Sequence, residues 1–224
     1  MLKPLAVLLS LFIMLFESSI LKNLALDANN DESITIESVY IEDADKLYET
    51  YRQRINEGTA DLSMYSAICI NYYFNDDYEN TIKIGLKGLE MLRWNHHYQY
   101  KNSLDDWYIG SLLFYTGMSY MLKENPDNPM AIEYLSECAE CFAVVDDGQH
   151  ATLSNRINVG CNLFNLYITV GDINKAEELR MEILNNDEYK QIYWNTMNDN
   201  YVNETDKRIA DNYQMLLDYR NNQE

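Results

Sequence analysis

Glycine and proline are scarce in this chain: 224 residues hold 8 of the first and 3 of the second. The tight turns of an all-β protein use both, glycine for left-handed backbone and proline for a pre-set φ. Their scarcity excludes a turn-rich β architecture and points to helices. Basic residues are also few, 17 Lys and Arg against 36 Asp and Glu, for a formal net charge of −19. Lys3, Lys22, Glu17 and Asp27 cancel within residues 1–28, so the imbalance belongs to the body of the chain. A surface this acidic repels phosphate backbones and argues against nucleic-acid binding and adsorption to anionic membranes. It leaves either a merely solvated exterior or a preference for basic or cationic partners. No cysteine precedes Cys69, which excludes lipid attachment through an N-terminal cysteine. No Gly-rich phosphate loop is present. Only three histidines occur, His96, His97 and His150. None is recognisably paired with a Ser or Cys nucleophile, so they read as surface residues.

What the chain has in quantity is apolar residues at helical spacing and 19 tyrosines, a side chain suited to helix interfaces that are dry inside and wet at the edge. Residues 1–28 open with one Lys before an apolar run from Pro4 to Phe16, broken only by Ser10. That length suits the hydrophobic region of a secretory signal and is short for a membrane span. Residues 1–28 are therefore read as a cleaved signal peptide, with an uncleaved membrane anchor as the alternative and an ordinary amphipathic helix behind both. Residues 29–42 are polar and acidic and read as a linker, although SITIES alternates like a short strand.

From residue 43 to 224 the pattern is helical. Ala44, Leu47, Tyr48 and Tyr51 share a stripe, and Asp43 or Asp45 can cap it. Ala60 to Asp76 and Tyr78 to Trp94 follow, parted by Asn75-Asp76-Asp77. Gly85 and Gly88 cost about 1 kcal/mol each in a helix interior, which is explained if a neighbouring helix approaches closely there. Helix resumes near Ser103, with Asp105 and Asp106 at its positive end. It stops at Asn125-Pro126-Asp127-Asn128-Pro129, where Pro129 suits the first turn of the next helix. The clearest stretch is Gly160 to Leu184, two helical runs hinged at Val170-Gly171-Asp172. Gly171 can adopt the left-handed conformation that ends one helix, and Asp172 can cap the next. One such hairpin cannot bury its own apolar side, so it needs neighbours of the same kind. The tail, from Glu188, holds one or two more helices, with Ile209, Tyr213, Leu216 and Leu217 in a stripe.

Aligning the hinges exposes a repeat. The first unit has Tyr65, Ile68, Cys69 and Tyr72, then Tyr78 and Thr81. The second has Leu113, Thr116, Gly117 and Tyr120, then Ala131. The third has Gly160, Leu163, Phe164 and Tyr167, then Gly171, Ile173 and Ala176. A possible fourth has Trp194, Met197, Asn198 and Tyr201, then Ala210. This resembles the tetratricopeptide repeat, W-x2-L-G-x2-Y with a later Ala. The unit starts Tyr65, Leu113, Gly160 and Trp194 lie 48, 47 and 34 residues apart, against about 34 in that family. The resemblance implies an all-α superhelix of stacked hairpins. In it the small residue (Cys69, Gly117) brings the two helices of a hairpin together. Tyr72, Tyr120 and Tyr167 fill the wedge between them, and Ala131 and Ala176 admit the next hairpin. It also implies a concave groove lined by the first helix of each hairpin, here Ser66, Ile70 and Tyr73, then Phe114, Met118 and Met121, then Cys161, Asn165 and Ile168. Such a groove suits an extended or helical peptide. The same residues can instead pack against an extra helix, from the N-terminus or the tail. Some family members grip a C-terminal carboxylate with Lys, Arg and Asn; only Asn165 occupies a comparable place here.

Other constellations are weak. Cys138 and Cys141 form C-x-x-C inside a predicted helix, whereas a redox pair belongs at a helix N-terminus. Cys69 and Cys161 occupy small-residue core positions, so all four read as core thiols. If the chain is exported, a disulfide joining Cys69 or Cys161 to one of the pair becomes possible. Glu133, Glu137 and Glu140 share a helix face and read as solvated, although paired carboxylates are the tools of glycoside hydrolysis. Asn203-Glu204-Thr205 is a glycosylation sequon. Together these readings give an exported, non-enzymatic scaffold that binds a protein or peptide, with no cofactor and no metal. A membrane-held sensory ectodomain is second and a helical hydrolase third.

Overall fold

The computed structural model describes residues 44–91, 98–101, 103–145, 151–198 and 203–221. The expected signal or anchor, the linker, Asp43, the three histidines and Tyr201 lie outside these residues. The chain divides into two compact units, Met1–Gln53 and Arg54–Glu224. Of the first, the described part is helical from Ala44 onward, and Tyr51 in it is buried. The second unit carries all the repeat and groove positions.

Every regular element among the described residues is an α-helix: α1 (Ala44–Glu57), α2 (Leu62–Phe74), α3 (Tyr78–Met91), α4 (Leu104–Leu122), α5 (Asn128–Val144), α6 (Ala151–Val170), α7 (Ile173–Asn185), α8 (Asp187–Asn198) and α9 (Glu204–Asn221). No described helix is long and apolar enough to cross a membrane.

Local chemistry sets the breaks. Asp61 caps α2, its carboxylate accepting from Met64 N at 3.1 Å. Asp76 turns the chain out of α2 with φ 57, in the left-handed region that Asp tolerates better than most residues. Ser103 and Asp106 form a reciprocal capping box on α4. Asp127 caps α5, and Pro129 sits in its first turn, where a missing N–H costs nothing. Gly171 has φ +80 and closes α6, and Asp172 accepts from Lys175 N at 3.3 Å to open α7.

Three hairpins follow one another: α2 with α3, α4 with α5, α6 with α7. The second helix of each of the first two packs on the first helix of the next, α3 on α4 and α5 on α6, and α2 also packs on α4. The all-α arrangement of stacked hairpins expected from the periodicity is therefore what the chain adopts. Close approach is visible in the glycines. A Cβ on Gly117 would lie 2.8 Å from Leu135 Cγ and 3.2 Å from Leu135 N, so α4 and α5 meet backbone to backbone there. A Cβ on Gly88 would lie 2.8 Å from Leu112 Cδ1 of α4 and 3.0 Å from Tyr65 Cβ of α2. A real Cβ essentially never sits this close, which explains glycine in the interior of α3.

The last quarter departs from the repeat. The tail is two helices, and it is α9, not α8, that lies against α6. Cys161 and Phe164 of α6 share one buried cluster with Ile209, Tyr213 and Leu216 of α9. This cluster also takes in Ile183 of α7 and Tyr189 and Ile192 of α8.

Candidate functional site

The nine groove positions implied by the repeat divide sharply. Ser66, Ile70, Tyr73, Phe114, Met118 and Cys161 are buried, Met121 and Ile168 are half-buried, and Asn165 is exposed. Ser66, Tyr73 and Cys161 among the buried ones meet a neighbouring helix, and Phe114 meets its neighbour on α4. Ser66 Oγ donates to Ser111 Oγ at 2.9 Å across α2 and α4. The Tyr73 ring lies 5.0 Å from Tyr115 of α4, with Phe74 and Tyr78 at 5.2 and 5.8 Å. Phe114 packs edge-on to Tyr115 at 5.2 Å. Cys161 Sγ points at Asn212 O of α9, 3.9 Å away. These six are closed to solvent in the structure, which fits the alternative that such positions pack against another helix. Counting positions off an apolar stripe assumes one wet side to each helix, yet α4 is buried at every residue from Ile109 to Ser119. Met121, Asn165 and Ile168, towards the C-terminal ends of α4 and α6, are the ones of the nine that keep solvent exposure.

The repeat-packing residues sit as follows. Tyr65, Cys69, Ala131 and Ala176 are buried, as is Gly117. Tyr120 stacks on Tyr134 of its own hairpin, 5.6 Å between centroids and 17° between planes. Lys175 of α7 lies over the Tyr167 ring at 5.5 Å. Tyr120 and Tyr167 therefore each meet the second helix of their own hairpin. Tyr72 is half-buried, and Gly171 is exposed at its turn.

The interior of α2 and α4 carries polar groups without protein partners. Tyr73 OH, Thr116 Oγ1 and Ser119 Oγ are buried and lack a hydrogen-bond partner among the described residues. Burial, reinforced by Tyr78 and Asp76, holds the Tyr73 phenol well above its ordinary range. Such orphan hydroxyls carry a desolvation cost of about 1–3 kcal/mol each.

The four cysteines are buried free thiols. Cys138 Sγ donates to Gly110 O at 3.3 Å and Cys141 Sγ to Asp106 O at 3.1 Å, both across the α4–α5 contact. Burial pushes all four thiols up, which opposes thiolate formation and nucleophilic chemistry. Among the described residues no group of three His, Cys, Asp or Glu is placed to hold a metal ion. Glu133 and Glu140 are exposed and Glu137 half-buried on α5.

Three further features stand out in the structure. Asp106 belongs at the helix dipole by position, but it is fully buried and accepts from Lys101 N, Ser103 N and Ser103 Oγ at 2.8, 2.9 and 3.0 Å. The S-x-x-D spacing is the signal for it. Arg180 is buried; its Nε and Nη2 donate to Glu177 at 2.8 and 2.7 Å and its Nη1 to Leu216 O of α9 at 3.1 Å. The hydrogen bond to Glu177 raises the guanidinium further above its usual range. Its signal is position, four after Ala176 on the buried stripe. Third, the possible fourth unit points the wrong way. Trp194 is 61% exposed and Met197 53%, while Tyr189, Ile192 and Tyr193 are the buried residues of α8. α9 is the helix that packs along α6, while α8 joins the same buried cluster through Tyr189, Ile192 and Tyr193.

No family model, no curated protein and no solved structure matches this chain.

Proposed function

We propose that this chain is a divergent tetratricopeptide-like scaffold that is exported and binds a protein or peptide without catalysis. The observation that carries the reading is the hairpin stack itself: α3 on α4 and α5 on α6, with Gly117 against Leu135 and Tyr120 stacked on Tyr134. Rigid helix pairs stacked in this way present side chains from several elements on one surface, which is how helical repeats bind extended partners. The reachable groove residues are Met121, Ile168 and Asn165, two apolar side chains and one amide. The net charge of −19 favours a partner with basic residues at its rim. The apolar run from Pro4 to Phe16 supports export, with membrane anchoring as the alternative.

The test is affinity capture from a native extract with the wild type and with Met121→Asp and Ile168→Asp. Both side chains are partly solvated, so each variant keeps its helical circular dichroism while losing the captured partner. Capture that survives both changes sinks the groove. Phe114→Asp and Tyr73→Asp cannot serve, because both would place a charge in the core. Mass spectrometry of the chain's N-terminus separates the two localisations: loss of the leading residues supports export by a cleaved signal, and Met1 retained in a membrane fraction supports the anchor.

A further inference from the structure

α9 contains a buried cation without a counter-charge. Arg208 is 7% exposed. Its Nε donates to Glu204 O, the carbonyl one turn back on the same helix, at 3.3 Å. Among the described residues the guanidinium makes no other hydrogen bond and no ion pair, so both Nη groups are left without an acceptor. The other buried arginine, Arg180, is the contrast: all three of its nitrogens have acceptors, two of them the carboxylate oxygens of Glu177. The chain has 36 acidic side chains, yet among the described residues only the exposed Glu204 acts on Arg208, through space and from its own helix. Desolvation, set against the pull of Glu204, lowers the guanidinium from its usual range. An isolated buried charge is costly and is kept where something pairs with it. The surroundings supply further donors. Asn212 stands one turn on from Arg208 and is buried, its amide without a hydrogen bond among the described residues. Cys161 of α6 lies against Asn212 and Phe164 against Tyr219, so α6 and α9 run in the same direction. One turn earlier that register sets Ile157 beside Arg208, and the buried Ser154 precedes Ile157 on the same stripe.

We propose that Arg208 is the base of a binding site for a small carboxylate, held between the N-terminal halves of α6 and α9. A guanidinium with Nε engaged still presents its Nη pair as a two-pronged edge, and a carboxylate meets that edge with two oxygens. A single negative charge suits the place better than a phosphate dianion. Every further charge is repelled by Glu204 and by a chain of net charge −19. Asn212 donates its amide N–H to the same ligand, and the ion pair removes the cost of the lone buried cation. The proposal does not depend on the groove or on export.

Sodium acetate is the probe, with sodium chloride at the same ionic strength as the reference and the thermal midpoint of the full chain as the readout. In the wild type the midpoint rises saturably with acetate, by roughly 3–6 °C at about ten times the Kd. Arg208→Met is at least as stable as the wild type in chloride, because it takes an unpaired charge out of the interior, and acetate does no more for it than chloride. Arg208→Lys keeps the charge without the fork and binds acetate at least about tenfold more weakly. Should either variant fail to fold, titration calorimetry of acetate and phosphate into the wild type decides the matter. A tripeptide with a free C-terminus is the last arm: acetate binds and the tripeptide does not. The proposal is overturned if acetate acts on the wild type no differently from chloride, if phosphate binds more tightly than acetate, or if the tripeptide binds and acetate does not. It is equally overturned if Arg208→Met shows the wild-type rise. An Arg208→Met chain that folds but melts below the wild type in chloride also sinks it, since the guanidinium would then be a strut that the fold already satisfies.

Discussion

Gly85 of α3 and Thr116 of α4 share one space: a Cβ on Gly85 would lie 2.0 Å from Thr116 Oγ1 and 3.4 Å from its Cβ. Cys69 Sγ of α2 is 3.6 Å from the same point, so three helices converge there. A β-branched threonine has few rotamers with which to escape. Gly85→Ala gains about 1 kcal/mol in helix propensity, yet it is expected to lower stability by about 1–3 kcal/mol through overpacking. Thr116→Ala in the same molecule restores most of the loss. Denaturant midpoints of the wild type, the two single variants and the double variant form the cycle. A Gly85→Ala protein as stable as the wild type would show that α3 and α4 are not pressed together at this point.

Arg180 ties α7 to α9 through the Leu216 carbonyl. Arg180→Met keeps most of the buried volume but removes that charge-assisted inter-helix hydrogen bond, at a cost of about 1–3 kcal/mol. Glu177→Gln costs less than about 1 kcal/mol, because the Glu177 side chain is half in water and the pair is partly screened. Chemical denaturation measures both. Equal losses in the two variants would mean that the ion pair, and not the inter-helix bond, is what matters.

Burial pushes the Tyr189 phenol up to about 12. The folded state therefore holds a proton that the unfolded chain releases near pH 10. Stability from this group is complete below about pH 10 and is lost as pH rises towards 12. Unfolding midpoints between neutrality and pH 11 should fall, and Tyr189→Phe should fall less steeply than the wild type. Identical slopes would remove Tyr189 as a source of alkaline lability.

Cys69, Cys138, Cys141 and Cys161 should all resist a thiol reagent in the native state and all react once denaturant is added. The count of thiols labelled before and after unfolding, read by mass spectrometry, checks this. Rapid native labelling at Cys138 or Cys141 would reopen a redox role for the pair.

Much of the helical framework is readable in the sequence because caps and hinges are local chemistry. Asp61, Asp127, Asp172 and Gly171 do in the structure what their residue types favour wherever they precede or end an apolar stripe. The beginning of α6 is harder. Its apolar pattern shows from Gly160, but the helix starts at Ala151, and Thr152, Ser154 and Asn155 are buried there although polar. Periodicity tracks apolar residues, so a polar buried face leaves no stripe. The candidate groove is least legible. The spacing rule gives each first helix a wet side, and only tertiary packing decides that Phe114 and Met118 lie inside while Met121 does not. The outward turn of Trp194 has no local signal either, and that α9 and not α8 packs along α6 is equally a matter of tertiary packing.

The late place of α9 in the chain has a bearing on synthesis. Cys161 meets Asn212, 51 positions further along the chain, and Arg180 meets Leu216, 36 positions further. When α6 and α7 leave the ribosome their apolar flank is still bare, because the helix that closes it has not yet been made. The nascent chain must hold that flank open through the whole of α8, which makes the interval between translating α7 and α9 the stage at which a chaperone would be needed most.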